Sequence, residues 1–512
     1  KPETFLLLKN RIIRNIFSNY VGFVLTMLVM LYMVPFLLGE LGMATYGAWI
    51  LVNVFFAYFA LIELGLMPAV IRHVSQALAL DDRDKVERTV GSACAVLMRL
   101  SLISVPILIV IICLAGWAVD LDGFDRRTFV TATVLMGLIA VIDFFRRLQI
   151  AVLEGHSRFD LLNAIEVART FAGAAATIIA VKAGHGLLAL VVIRMAETVV
   201  EIAALNFFIR RDCGIRVNPR LADPEIRRRL KDYSKFAFLV DLAVNVSHRI
   251  DGLVIALMMA TPFRSIAYYD VGTKIAGVLE KITDPLIDTL FPLASELDTN
   301  REPEAMRQLL MTGTRVSVMI ITPFLIMLSA YGGDAIGWWF MIIPNDKVPA
   351  DIIAMSLPIL HIFLGAVFMA VFDATASRVL LGTGQVKFDA TISLGAAILN
   401  LTLSLILVWK LGIIGVALGT LIPATICNLF ISVPYTCRLC GLPVHRLYIA
   451  VFVPLLALAA LSYGVMALTS LITDNRVITF IIDGTVVSLI CGTMLLRLLK
   501  QAAVVARELD GG

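Results

Sequence analysis

The chain has 512 residues, 59% hydrophobic and only 16% charged, with a formal net charge of +4. A soluble domain carries about 25% charged residues to wet its surface, so this composition excludes one, and no nucleic-acid partner is expected. Apolar runs of roughly 20 residues recur along the chain, each long enough as a helix to cross ~30 Å of hydrocarbon. The predicted fold class is all-α, a polytopic membrane protein.

Fourteen spans are predicted, at 16–38, 44–67, 92–119, 128–153, 161–182, 187–209, 236–260, 266–291, 314–333, 352–376, 388–409, 413–436, 447–470 and 477–498. The first run is too long for a cleavable signal and reads as a retained span. Lysine and arginine set the orientation. With the N-terminus cytoplasmic, the loop 210–235 alone carries nine Lys and Arg. All the opposite-side loops together carry seven, namely Arg126, Arg127, Lys182, Arg264, Lys347, Lys410 and Arg476. Both termini are therefore expected in the cytoplasm. The stretch 210–235 reads as an amphipathic linker at the membrane surface, between an N-lobe (1–209, helices 1–6) and a C-lobe (236–437, helices 7–12). Residues 438–512 hold two further helices and a tail. Of the seven cysteines, most sit in apolar runs as small packing residues. Cys437 and Cys440 form a lone C-x-x-C without a second ligand pair, so no metal site is expected.

In chain order, polar residues fall in stripes on particular spans. At the first span Arg11, Asn15, Ser18/Asn19, Gly22 and Thr26 share a face; on the second, Tyr46, Trp49, Asn53 and Glu63 stand out. Glu63 and Arg72 flank "ELGLMPAVIR", either as a gating pair or as head-group-facing residues. In the fifth and sixth spans Arg169 and Glu201 fall at similar depth, and Arg194 and Glu197 are i, i+3; these read as structural pairs inside one lobe. The seventh span, "FAFLVDLAVNVSHRIDGLVIALMM", repeats polar residues at Asp241, Asn245, Arg249 and Gly252. Arg249 lies ~20 Å along the helix from the cytoplasmic end, near mid-bilayer. The eighth carries Asp270, Lys274, Gly277, Lys281, Asp284 and Asp288 on one stripe, with Asp270 and Lys274 spaced to neutralise each other. A charge at mid-bilayer costs ~2.5–3.5 kcal/mol on insertion scales, so such stripes must pair or face water.

The sequence also repeats itself. "GHSRFD" at Gly155 returns as "GQVKFD" at Gly384, 229 residues later, and "KAG" at Lys182 returns as "KLG" at Lys410. Both members of the first pair fall in cytoplasmic loops, six spans apart. Because six is even, the halves keep one orientation, which predicts a parallel repeat about an axis along the membrane normal.

On "YGAW" at Tyr46, "ELGLMPAVIRHVSQAL" at Glu63, "RIDGLVI" at Arg249, "AYYDVGTKI" at Ala267, "DPLIDTLFPLASEL" at Asp284 and "LGIIGVALGTLIP" at Leu411, the chain resembles the O-antigen-type polysaccharide flippases of the multidrug/oligosaccharidyl-lipid/polysaccharide exporter superfamily. The resemblance implies fourteen helices around a V-shaped central cavity. It also implies transfer of undecaprenyl-diphosphate-linked sugar units to the periplasmic leaflet of a bacterial inner membrane, with membrane lipids and glycan-assembly proteins such as a polymerase as partners. A monomer is expected.

In such a cavity the diphosphate wants cations, arginine above all for its bidentate fork. Arg249, Lys274, Lys281 and Arg14 are the candidates. Asn15, Asn19, Asn53, Trp49 and Tyr269 are candidates for the glycan. Asp241, Asp251, Asp270, Glu63 and Arg72 are candidates for ion coupling or gating. No cofactor is expected beyond H⁺ or Na⁺ as a coupling ion. A cation-coupled multidrug antiporter is the alternative, but the span 16–38 has no Asp or Glu. A glycan polymerase would need a large polar periplasmic loop, and 334–351 is partly apolar and lacks His. No G-x-x-x-x-G-K-[ST] phosphate loop is present.

Overall fold

The structure, a computed structural model, describes residues 22, 24–59, 63, 65–118, 121, 124–230, 250–342 and 348–510, and among these there is no strand. That is what lipid imposes: with no water to satisfy backbone groups, a spanning segment must bond its own N–H and C=O groups. The helices are α1 (Val24–Leu41), α2 (Met43–Phe59), α3 (Leu66–Ala79), α4 (Arg83–Ala118), α5 (Arg126–Gly155), α6 (Phe159–Lys182) and α7 (Leu187–Phe208). After a short α8 (224–230) and a helical stretch at 250–258 follow α9 (Pro262–Asn300), α10 (Pro303–Met341), α11 (Ile352–Gly382), α12 (Val386–Leu411), α13 (Ile413–Ala424), α14 (Val433–Leu439), α15 (Val444–Ile472) and α16 (Arg476–Asp510), with a π-helical segment, Thr425–Ser432, joining α13 to α14.

Ten helices among the described residues are long and apolar enough to cross a membrane. Three others fall short of that measure for visible reasons. α2 has only 17 residues, α7 carries Arg194, Glu197 and Glu201, and α9 carries the Asp270–Asp288 stripe. The seventh expected span lies mostly outside the described residues.

The chain forms two compact units. One holds residues 1–267 and 342–349; the other holds 268–341 and 350–512. Their turns repeat. The backbone takes positive φ at Asp81, Ser157, Gly184 and Gly214, and again at Arg301, Gly384, Gly412 and Gly441, at offsets of 220, 227, 228 and 227 residues. Hydrogen bonding agrees at two of these turns. Asp82 N donates to Ala77 O as Glu302 N does to Leu297 O, both at 3.0 Å; Arg158 N donates to Leu153 O at 2.9 Å as Gln385 N does to Leu380 O at 2.8 Å. Each is the six-to-one closure of a helix that ends in a left-handed residue. The sequence pairing of "GHSRFD" with "GQVKFD" is therefore two residues out of structural register: Ser157, not Gly155, corresponds to Gly384. Gly155 is still the last helical residue of α5, while Gly384 is the turn itself.

The core of the first unit gathers Val70, Val74, Val90, Leu97, Phe144, Leu148 and Leu205 from α3, α4, α5 and α7. Ile215 and Leu230 of the linker belong to the same core, and Asp223 N donates to Ser92 Oγ at 2.8 Å. Val217 and Ile226 pack against that core too, whereas Leu221 is exposed. The linker's arginines 210, 211, 216, 220, 228 and 229 stay exposed. In the second unit Leu310, Phe372, Val379, Val433, Cys437 and Leu447 form one core. Met327, Tyr331, Leu458 and Val487 form another. There α10 bends at Tyr331 (φ −111°, ψ 15°), and the Tyr331 hydroxyl donates to the buried Asp483 carboxylate at 2.5 Å. Cys437 and Cys440 are buried free thiols.

Candidate functional site

The sequence "DFFRR" puts three charges, Asp143, Arg146 and Arg147, in the interior of α5, whose other charges, Arg126, Arg127 and Glu154, lie at its ends. At 1.5 Å per residue the three lie ~12–18 Å from that helix's C-terminal end. Helical spacing turns them to one side, where α6 and α7 present Arg169, Arg194, Glu197 and Glu201. Together with Glu63, which precedes α3, they form an alternating ladder of four guanidinium groups and four carboxylates. Glu63 accepts from Arg147 (3.3 Å), Arg147 reaches Asp143 (2.9 Å), and Asp143 also holds Arg146 (2.5 Å). Arg146 reaches Glu201 (2.9 Å), and Glu201 holds Arg169 with its second oxygen (3.2 Å). Arg169 and Arg194 both meet the same oxygen of Glu197, at 3.6 and 3.3 Å. The Asp143 and Glu201 side chains are 4% and 7% exposed, whereas Arg194 at the far end is 29% exposed and lies over the Phe56 ring.

A cavity of about 310 Å³ opens at that end. Trp49 and Asn53 of α2, Arg169, Thr170, Gly173 and Thr177 of α6, and Arg194 and Glu197 of α7 line it, with apolar residues of α1. Trp49 and Asn53 are held together by Asn53 Nδ2 donating to the Trp49 carbonyl at 2.7 Å.

The repeat provides an internal control. Applying the turn offsets to the second unit, the positions matching Asp143, Arg146 and Arg147 are Ala370, Asp373 and Ala374. Arg169 corresponds to Ala396 or Ala397, Arg194 to Leu421 or Ile422, Glu197 to Ala424 or Thr425, and Glu201 to Asn428 or Leu429. One half of the same fold does without the ladder. A buried ion pair is seldom worth more than well-packed apolar residues of similar volume, so the fold does not require these seven charges.

The expected pairings of Arg169 with Glu201 and of Arg194 with Glu197 are present, as part of a larger network that the sequence reading missed through Asp143, Arg146 and Arg147. Their signal was three charges within five residues of an apolar span. Glu63 pairs with Arg147, and Arg72 lies on the exposed face of α3. In the second unit Lys274 meets Asp270 at 3.5 Å. Lys281 is exposed, and its neighbour Asp288 is bound by Arg378 at 2.9 Å. Tyr269 is buried edge-on to Phe363, and Asp251 is buried in 250–258. Arg14, Asn15, Asn19, Asp241 and Arg249 lie outside the described residues.

The arrangement is that of a multi-pass membrane transporter, and solved structures share its fold. A lipid II flippase, MurJ, in an inward closed conformation matches with a TM-score of 0.70 at 14% identity, over 95% of this chain and 99% of that one. An inward-facing multidrug resistance transporter of the MATE family, which belongs to the MOP superfamily, matches with a TM-score of 0.65 at 13% identity, over 82% and 94%. The chain belongs to the polysaccharide biosynthesis protein family, whose profile matches residues 41–340. Its relatives include a probable low-salt glycan biosynthesis flippase of Haloferax volcanii, 19% identical over 391 residues covering 76% of this chain and 75% of the relative. A putative O-antigen transporter of Shigella flexneri is 20% identical over 430 residues, covering 84% and 99%.

Proposed function

We propose that this chain is a flippase for lipid-linked oligosaccharides of polysaccharide or O-antigen biosynthesis, a transporter and not an enzyme. It carries polyprenyl-diphosphate-linked repeat units, with undecaprenyl as the lipid, across the inner membrane from the cytoplasmic to the periplasmic leaflet by alternating access. Its termini are cytoplasmic, and a glycan polymerase receives the product. The carrying observation is the charged ladder beside a polar cavity in membrane-spanning helices of one unit, where the positions of the other unit that match seven of its eight residues hold a single charge. Family membership and the printed roles of the relatives support the same reading.

The chemistry follows from the substrate's parts. A diphosphate leaving water needs donors that replace its hydration, and arginine supplies them in a planar fork. The cations that meet it are drawn from Arg249, Lys274, Lys281, Arg14 and the ladder's outer arginines. The glycan needs amides and aromatic faces, and Asn53 with Trp49 supplies both. Asp241, Asp251 and Asp270 are the positions for a coupling H⁺ or Na⁺.

The test is leaflet exchange of a fluorescent polyprenyl-diphosphate sugar in liposomes holding the full chain. Wild type is expected to move the lipid. Arg249→Ala is expected to lose most of the rate and Arg249→Lys to keep part of it. A wild-type protein that leaves this lipid in place and exports a cationic dye would overturn the flippase reading in favour of an antiporter.

A further inference from the structure

The polar cavity of the first unit has a neighbour. A second cavity of about 590 Å³ lies between α6 and α7, lined by Ala164, Ala168, Ala172 and Ala176 at i, i+4 spacing and, across from them, by Ala196, Val200 and Ala204. Small residues usually let two membrane helices close on each other. Here they border open volume. The membrane window of α6 is only 11% buried within the protein. Both cavities fall in the ordinary size range of a ligand pocket, and they share four lining residues: Arg169, Gly173, Ile193 and Glu197.

What separates them at Gly173 is a side chain. A Cβ at residue 173 would fall on Glu197 Oε1. The absence of a side chain there is what lets the Glu197 carboxylate cross to α6 and meet Arg169 and Arg194. The partition is thus a carboxylate on a rotatable stem, held by two arginines. Another anion reaching those arginines competes for the same donors and repels the carboxylate.

We propose that the first unit binds the lipid-linked substrate as an amphiphile across this partition. The polyprenyl chain lies in the α6–α7 groove. The diphosphate takes the place of Glu197 on Arg169 and Arg194, and the first sugars sit against Trp49 and Asn53. The apolar groove, the paired cations and the polar cavity follow one another in the same order as tail, diphosphate and sugar. This inference rests on the flippase reading and gives it a location.

The test uses the full chain in nanodiscs of defined phosphatidylcholine, with a polyprenyl-diphosphate N-acetylglucosamine carrying a diazirine on its tail, and maps the labelled peptides by mass spectrometry. Labelling is expected on Ala168, Ala172, Val200 and Ala204, competed by the unmodified diphosphate sugar and not by a diazirine phospholipid. Gly173→Ala, whose Cβ drives the Glu197 carboxylate off Arg169 and Arg194, is expected to raise labelling about tenfold, the gain of one charge-assisted hydrogen bond for the diphosphate. Ala172→Phe, which fills the groove without touching the ladder, is expected to lower it. Glu197→Gln keeps the shape, removes the competing charge and is expected to strengthen binding. Wild-type leaflet exchange with label found only outside α6 and α7 would overturn this inference and leave the flippase reading standing. Equal labelling by the phospholipid would do the same. Neither exchange nor label with the wild type would overturn both.

Discussion

Residues of the ladder differ in what they hold, and their substitutions separate accordingly. Arg146 bridges Asp143 and Glu201 in the dry middle of the network. Arg146→Ala leaves two buried carboxylates short of a partner and is expected to destabilise by about 3–5 kcal/mol, read as a lowered unfolding midpoint in detergent. Arg194 has Glu197 as its partner, and Glu197 also meets Arg169, so Arg194→Ala leaves no carboxylate unpaired and is expected to cost less stability than Arg146→Ala while reducing leaflet exchange severely. Equal loss of stability in both variants would make the ladder a structural device throughout. Outside the membrane, Asp125 caps α5: its carboxylate accepts from the Thr128 hydroxyl at 2.6 Å and from the Thr128 N–H at 2.9 Å. These bonds hold its carboxyl below the usual carboxylate range. A depressed folded-state pKa means the cap contributes fully above the unfolded value of about 3.9. The contribution is lost as pH falls through the folded value. Asp125→Ala should remove that acid-limb component and leave the neutral-pH profile parallel to wild type.

Elements show how far a pattern can be read without coordinates. The apolar runs made α4, α5, α6 and α10 to α16 legible, because a segment in lipid must be helical over about 20 residues. The polar spans were legible for the opposite reason, since a charge in such a run demands an explanation. The internal repeat was legible in outline but misregistered by two residues. A sequence match aligns letters, whereas a helix stop is set by whichever residue adopts positive φ. Ser157 does so at the first turn, at φ 55°, and Gly384 at the second, at φ 77°. The equivalence makes a prediction. Gly384→Ala forces a Cβ into the left-handed region and should cost about 1 kcal/mol. Ser157→Gly relieves the same strain and should raise the unfolding midpoint. Opposite signs in thermal unfolding would confirm that the two turns are one motif.

At the scale of the whole molecule a flippase for such a lipid moves charge across a membrane. A diphosphate carried outward through the bilayer moves negative charge down an inside-negative potential, worth ~2.3 kcal/mol per charge per 100 mV. Exchange toward the outer leaflet is therefore expected to quicken under an inside-negative potassium diffusion potential and to slow when the gradient is collapsed. A rate that ignores the potential and follows a proton or sodium gradient would move the driving force to a coupling carboxylate.

By itself the sequence determined the solvent, the helical class and the existence of two like halves. Each of these follows from composition or from period along one chain, and lipid enforces them segment by segment. It also singled out Arg169, Arg194, Glu197 and Glu201, but as separate pairs. Only the tertiary structure decided that Glu63, Asp143, Arg146 and Arg147 join them in one network, that Trp49 and Asn53 face its end, and that Glu197 stands between two cavities. Those facts depend on how α2, α5, α6 and α7 turn their faces toward one another, and helical period specifies a face without naming its neighbour.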